Sequence, residues 1–300
     1  MKTLLVGYKA ADLTPQLLEG DVTCHVLDIY HRHAIEKVHH AKAICSAHLP
    51  EGPWDLVKFR TGPKIHSGEL SLDLLQECHR LGCRVEVDFV GRERDRNDLI
   101  DKIKSDPTRL RSFRAEWPAS VPGGEKLMFT SYPGCFCHRR LDEGGLALAE
   151  VASRELRERG GAGMRLLDMG CGCGLVGLLV VRSVPGVSLV MVDSHARAVE
   201  AAAENAAKFG VPAEVILADD GTPARMDGTF DVFVGNPPYY SDYRIAEVFL
   251  ETARRALKPG GVCYTVVKNA AGLKPVQERF FPSASVVGRR GYSVLKSTKE

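Results

Sequence analysis

The sequence predicts an α/β protein: a seven-stranded, doubly wound, mostly parallel sheet in the C-terminal half, preceded by a degenerate copy of the same fold. Three observations carry this. Short apolar runs alternate with longer amphipathic stretches in the C-terminal half, as strands and helices do in a parallel sheet. Asp168, Asp193, Asp219 and Asn236 each close one of these runs, and the carboxyl ends of such strands are where ligands bind. The first third of the chain also repeats the run order of the last half.

Strands are predicted near 164–168, 187–193, 213–218, 230–235, 262–268, 284–288 and 291–296, with helices alternating through the first five. Met164-Arg165-Leu166-Leu167-Asp168 opens the series and runs into Gly170, Gly172, Gly174 and Gly177, a turn that leads into a helix over Leu175 to Val180. Such glycines admit positive φ and let the backbone approach a ligand. Val187 to Val192 forms the second strand, tipped by Asp193, and Ala213 to Ala218 the third, tipped by Asp219-Asp220. Phe230-Asp231-Val232-Phe233-Val234-Gly235 is the fourth and delivers Asn236-Pro237-Pro238-Tyr239. A helix over Ile245 to Leu257 leads to the fifth strand. The seventh follows the sixth too closely for a crossover helix, so it should pair antiparallel.

Gly172-x-Gly174-x-x-Gly177 satisfies a dinucleotide fingerprint. Asp168 and Gly170, however, fall where that motif's strand should still be running. A carboxylate followed by exposed glycine carbonyls better suits S-adenosylmethionine (SAM), which carries a sulfonium and an amino acid end and has no pyrophosphate. Asp193 could accept ribose hydroxyls, and Asp219 sits where an adenine amino group could be read. Asn-Pro-Pro alone is an ordinary strand-ending turn. It also suits methylation of a planar NH2 group, whose delocalised lone pair makes it a poor nucleophile. The Asn236 side-chain oxygen and the Pro237 carbonyl supply acceptors for the amino hydrogens, the prolines add no competing N–H, and Tyr239 offers a stacking face.

On these motifs residues 126–300 resemble class I SAM-dependent methyltransferases, and Asn236 narrows the likeness to amino-group methyltransferases. Phe129-Thr130-Ser131-Tyr132-Pro133-Gly134-Cys135-Phe136 with Leu141-Asp142-Glu143-Gly144-Gly145 resembles the segment before the cofactor loop in two-domain ribosomal RNA guanine-N2 methyltransferases. Cys135 and Cys137 stand where that family usually has Val and Ser, and Tyr239 where Phe is commoner. The resemblance implies SAM held by Asp168, Gly170, Gly172, Gly174, Asp193 and Asp219, bordered by Asn236 and closed by Phe136, with Asn236, Pro237 and Tyr239 serving catalysis. Adenine N6 in RNA or DNA and the glutamine amide of release factors are alternative amines. A non-enzymatic RNA-binding protein is the reading from another class, and it predicts RNA affinity without SAM affinity.

His25 to Glu36 parallels Leu189 to Glu200, and Gly52 to Arg60 parallels Gly228 to Asn236. Helices over Leu70 to Leu81 and Ile245 to Leu257 follow, then strands over Val85 to Val90 and Val262 to Val267. The N-terminal copy has one glycine, Gly7, where the other has four, and Arg60-Thr61-Gly62-Pro63 replaces the Asn236 turn. Arginine has donors and no acceptor. Residues 1–118 therefore read as a degenerate domain kept for substrate binding or support, 119–125 as a linker, with the boundary in the loop-like Trp117 to Gly124, and 126–300 as the catalytic domain. A duplicated inactive half is also what the resembled family shows, whereas release-factor enzymes start with a small helical domain.

Nine cysteines without secretory context imply reduced thiols in the cytoplasm. Cys135-x-Cys137 and Cys171-x-Cys173 have the wrong spacing for zinc knuckles, and His31, His33, His39 and His40 should spread around an exposed helix from His31 to Ala43, so no metal is expected. No run approaches membrane-spanning length. With a formal charge of +2, ribosomal RNA, a ribosomal subunit or an assembly intermediate would have to meet local patches. Candidates are Lys58, Arg60, Lys64 and His66; Arg92, Arg94 and Arg96; Arg109, Arg111 and Arg114; Arg139 and Arg140; and Arg289 and Arg290. A monomer is the expected state.

Overall fold

The computed structural model describes residues 1–104, 112–238 and 243–300, which form two compact units. One comprises Met1–Ala115, Tyr132–His138 and His195–Arg197; the other comprises Glu116–Ser131, Arg139–Ser194 and Ala198–Glu300.

In the first unit five parallel strands, β1 (Lys2–Val6), β2 (Asp21–Val26), β3 (Lys42–Cys45), β4 (Leu56–Thr61) and β5 (Arg84–Phe89), lie in the order β3-β2-β1-β4-β5. Successive residues of the central β1 bury on opposite faces. Leu4 and Val6 join Val57, Phe59, Leu70 and Leu74, whereas Leu5 joins Cys24, Val26 and Ile35. Helix α1 (Ile29–His39) starts where the Asp28 carboxylate accepts from the Tyr30 N–H at 2.9 Å. It does not reach Ala43 as its composition suggests: His40 turns left-handed at φ 51°, and Ala43 pairs with Cys24 in the sheet. Nor are its histidines all exposed, since His39 Nε2 contacts the Ala10 carbonyl at 2.7 Å. Helices α2 (Gly68–Arg80), capped by Ser67, and α3 (Glu93–Lys104) complete the unit.

Arg197, counted with this unit, is 1% exposed and reaches Asp73 at 2.5 Å, Glu77 at 3.0 Å and the Ala47 carbonyl at 3.0 Å. A buried guanidinium is tolerated because its donors meet acceptors.

The second unit begins at Glu116, within β6 (Ala115–Ser120), which forms a hairpin with β7 (Lys126–Ser131). The stretch expected to be a linker is therefore strand and turn. Ala115, Trp117 and Ala119 alternate inward along β6, and Trp117 stacks on Phe129 with centroids 5.4 Å apart and donates to Ser131 Oγ at 3.2 Å. Period-2 burial outweighs the loop-like composition, and Pro118 falls on the exposed side of a two-stranded ribbon, where a missing N–H is tolerated.

After α4 (Glu143–Glu158), the main sheet holds β8 (Arg165–Met169), β9 (Ser188–Asp193), β10 (Ala213–Leu217), β11 (Phe230–Gly235), β12 (Leu257–Val267), β13 (Ser285–Arg289) and β14 (Tyr292–Thr298). Their order is β10-β9-β8-β11-β12-β14-β13, with β14 antiparallel to both neighbours as expected. Helices α5 (Leu175–Ser183), α6 (Ala196–Lys208), α7 (Arg244–Ala256) and α8 (Ala270–Gln277) make the crossovers, but between β10 and β11 there is only a short 3-10 turn, Ala224–Met226, and not the expected helix. Leu167, Met169, Val190, Val192 and Phe233 pack on Phe249, Leu250 and Ala253.

Strands β10-β9-β8-β11-β12 repeat the third, second, first, fourth, fifth order of the first unit, so the internal repeat read from the sequence is a repeat of topology. In each sheet the order reverses between the first and fourth strands. In the second unit Val234 lies opposite Asp168 and Gly235 opposite Met169, which brings the glycine turn and Asn236 to neighbouring strand ends.

Candidate active site

Gly170, Gly172 and Gly174 all have positive φ, at 67°, 56° and 85°. Packing adds a second reason at two of them. A Cβ on Gly170 would lie 2.6 Å from Phe249 Cζ, and one on Gly174 2.8 Å from Leu178 Cδ1, whereas one on Gly172 would meet nothing within 4 Å. Gly172 thus borders open space, where a ligand can approach the backbone closely.

Asp168 is 2% exposed, and its Oδ2 accepts from the Gly177 N–H in the first turn of α5 at 2.8 Å. That N–H is one a dinucleotide pyrophosphate would use, so the geometry disfavours the dinucleotide reading. Burial, with the nearby Asp193 charge, raises the Asp168 carboxyl to about 7, against the opposing Gly177 hydrogen bond. The folded protein then keeps a proton that the unfolded chain releases near 4, so this group's effect on stability runs downward as pH rises from about 4 to about 7. Thermal unfolding of the ligand-free protein should show that decline, and Asp168→Asn, which retains an acceptor for Gly177, should lack that component. Parallel curves for the two proteins between pH 5 and 8 would mean that Asp168 ionises in the normal carboxylate range.

Asp193, at the end of β9, accepts from the Gly172 N–H through Oδ2 at 2.8 Å. The acid expected to take ribose hydroxyls therefore also holds the glycine turn. Its carbonyl accepts from the Ala218 N–H at 3.0 Å, which brings the residue before Asp219 to the same strand end. Asn205 fastens the turn from behind: its Nδ2 donates to the Cys173 and Thr130 carbonyls, both at 2.9 Å, and its Oδ1 accepts from the Thr130 N–H at 2.8 Å. It was missed as a site residue, though a lone Asn in the Ala-rich α6 is a signal, since Asn is a weak helix former.

Asn236 follows β11 directly and is half-buried, and Pro237 is buried. Asn236 Nδ2 donates to Asp142 Oδ2 at 2.9 Å, and Asp142 Oδ1 accepts from the Gly144 N–H at 3.0 Å as the N-cap of α4. The resemblance had marked the Asp142 segment without giving that residue a role. Tyr239 lies outside the described residues. Phe136 is 64% exposed and belongs to the Tyr132–His138 segment counted with the first unit. The structure thus gathers Asp168, Gly170, Gly172, Gly174, Asp193, Asp219, Asn236 and Pro237 at the carboxyl ends of neighbouring strands of the second sheet.

At the corresponding place in the first unit, Arg60 pairs with Asp88 and, at 3.2 Å, with Asp12, and lies 5.6 Å from the Tyr8 ring centre. A Cβ on Gly7 would lie 2.4 Å from the Arg60 carbonyl. This copy fills its own strand ends with protein atoms. Arg60 is consequently not an open phosphate ligand, and neither is His66, which burial lowers to about 4 and which stacks on Phe59. Arg92 pairs with Asp95, and Arg289 and Arg290 pair with Glu150. Arg109 and Arg111 lie outside the described residues. Among the described residues no group of His, Cys, Asp and Glu could hold a metal, and no helix is long and apolar enough to cross a membrane.

The family model for the methyltransferase small domain matches residues 126–296. The chain is 33% identical over 208 residues, 67% of its length, to ribosomal RNA small subunit methyltransferase C of Pseudomonas aeruginosa, and spans 59% of that relative. It is 28% identical over 259 residues, 80% of its length, to ribosomal RNA large subunit methyltransferase G of Streptomyces griseus, and spans 66% of it. The chain thus spans about six-tenths of the length of the curated relatives it matches. Among solved structures, a T. thermophilus 16S rRNA N2 methyltransferase in complex with AdoMet and guanosine matches with a TM-score of 0.81 at 19% identity, over 100% of this chain and 88% of that one, a likeness of fold.

Proposed function

We propose that this chain, which belongs to the methyltransferase small domain family, transfers a methyl group from SAM to an exocyclic amine, the N2 of a guanine in ribosomal RNA. The observation that carries the reading is the adjacency of the glycine turn after β8 and Asn236 after β11 at the switch point of the sheet. The relatives named for ribosomal RNA, and a fold match solved with guanosine, favour guanine N2 over adenine N6 and glutamine.

The open face at Gly172 and the acids around it fit SAM, which would supply a methyl group on a sulfonium. Gly170, Gly172 and Gly174 would border it, with Asp168 beneath, Asp193 toward ribose hydroxyls and Asp219 toward the adenine edge. Asn236 Oδ1 and the Pro237 carbonyl would accept the two amino hydrogens and orient the nitrogen lone pair. Catalysis is then alignment of two bound groups, with no covalent enzyme intermediate. The prolines withhold N–H groups that would compete for these acceptors. Tyr239 would stack on the base, and Phe136 would cover the cofactor. The first unit, with its strand ends filled, would serve RNA binding or support.

Mapping methylated nucleotides in ribosomal RNA from cells with and without the gene tests this directly. One N2-methylguanine should disappear on deletion and return with the parent gene. Loss of an N6-methyladenine, or of a methylglutamine in a release factor, would move the substrate to that amine.

A further inference from the structure

We propose that Asp142 is a positioning residue for methyl transfer: its carboxylate sets which edge of the Asn236 amide faces the substrate. The inference rests on the amine-methylation reading above. A carboxamide has two edges of nearly equal shape and opposite polarity, and its terminal torsion is broad and roughly two-fold. Only the oxygen edge is useful here, because the substrate amine brings hydrogens. An Asn236 turned over would set NH2 against NH2.

Asp142 removes that ambiguity because a carboxylate accepts and does not donate. Its Oδ2 takes the Asn236 Nδ2 hydrogen at 2.9 Å, so Asn236 Oδ1 lies on the opposite edge of the amide. Its Oδ1 is held in turn by the Gly144 N–H at 3.0 Å, so the orienting group is itself anchored to α4. Gly145, three residues on, makes room for it. A Cβ on Gly145 would lie 2.6 Å from Asp142 Oδ2 and 3.1 Å from its Cγ. Glycine weakens a helix start, and an N-cap does not require one there. Gly145 suits a carboxylate that must lean toward Asn236.

The test compares Asp142→Asn with Asp142→Ala in the full chain, using undermethylated ribosomal RNA from cells lacking the gene and labelled SAM. Asn caps a helix about as well as Asp, so Asp142→Asn should keep its Tm and SAM affinity. With its oxygen on Gly144, its NH2 would face Asn236 and turn that amide over, and kcat should fall on the order of 100-fold with little change in KM for RNA. Asp142→Ala loses the cap and some Tm but leaves the Asn236 amide able to rotate, so its kcat should fall only about tenfold. A capping role alone predicts the reverse ranking. Ala worse than Asn, or parental kcat in both, would overturn the proposal. Gly145→Ala, which displaces the carboxylate without touching the cap donor, should also lower kcat, and an unchanged kcat there counts against the role. Parental kcat in Asn236→Ala would instead sink the amine reading on which this one stands.

Discussion

Asn236→Ala should lose roughly 100- to 1000-fold in turnover, the scale seen when one preorganised hydrogen-bonding group is removed from a transition state. SAM affinity should stay within a few-fold of the parent. The amine nitrogen starts with its lone pair delocalised, and removing an acceptor for its hydrogens leaves the substrate plane free to tilt from the line of transfer. The Pro237 carbonyl would still hold one hydrogen, so some activity should persist. The substitution also leaves the Asp142 carboxylate without the Asn236 donor but still on the Gly144 N–H, so the α4 cap survives and Tm should change little. Single-turnover methylation with SAM binding measured alongside separates the two effects. A drop in SAM affinity equal to the drop in rate would reassign Asn236 to the cofactor side.

Asp193→Ala should weaken SAM binding about ten- to a hundredfold, the worth of a hydrogen bond to a charged group at roughly 1.5–3 kcal/mol. Two losses combine. The proposed contact of the carboxylate with the ribose would go, and the Gly172 N–H loses the acceptor that holds it at 2.8 Å. Asp193→Asn separates them, because its amide oxygen can still accept from Gly172 while its NH2 replaces an acceptor with a donor. That variant should bind SAM with intermediate affinity. Calorimetry with SAM alone measures all three proteins, and parental affinity in Asp193→Ala would remove the acid from the cofactor site.

Much of this site was legible in the chain because its signals are short-range. Gly170, Gly172 and Gly174 mark positive φ within a few residues of one another, and a strand that ends in Asp193 or runs directly into Asn236 delivers that residue to the carboxyl end of the strands. The misreadings have local causes too. Trp117 to Gly124 has loop composition, yet alternating burial against Phe129 makes its first part a strand. Ala43 continues a helical pattern, but pairing with Cys24 draws it into the sheet. Arg60 and His66 read as cations because composition does not reveal that one is paired to Asp88 and the other is buried.

Local sequence sets the chemistry along the chain: which turn carries glycines, and which strands lead into an acid or into Asn236. These follow from backbone conformation and period, properties of neighbours in the chain. Tertiary structure alone decided the polar partnerships. Asn236 meets Asp142 across 94 residues, Asn205 meets Thr130 across 75 and Arg197 meets Asp73 across 124. Each is a directional bond made by a side chain, formed only where folding brings a donor and an acceptor within about 3 Å, and no local pattern encodes that distance.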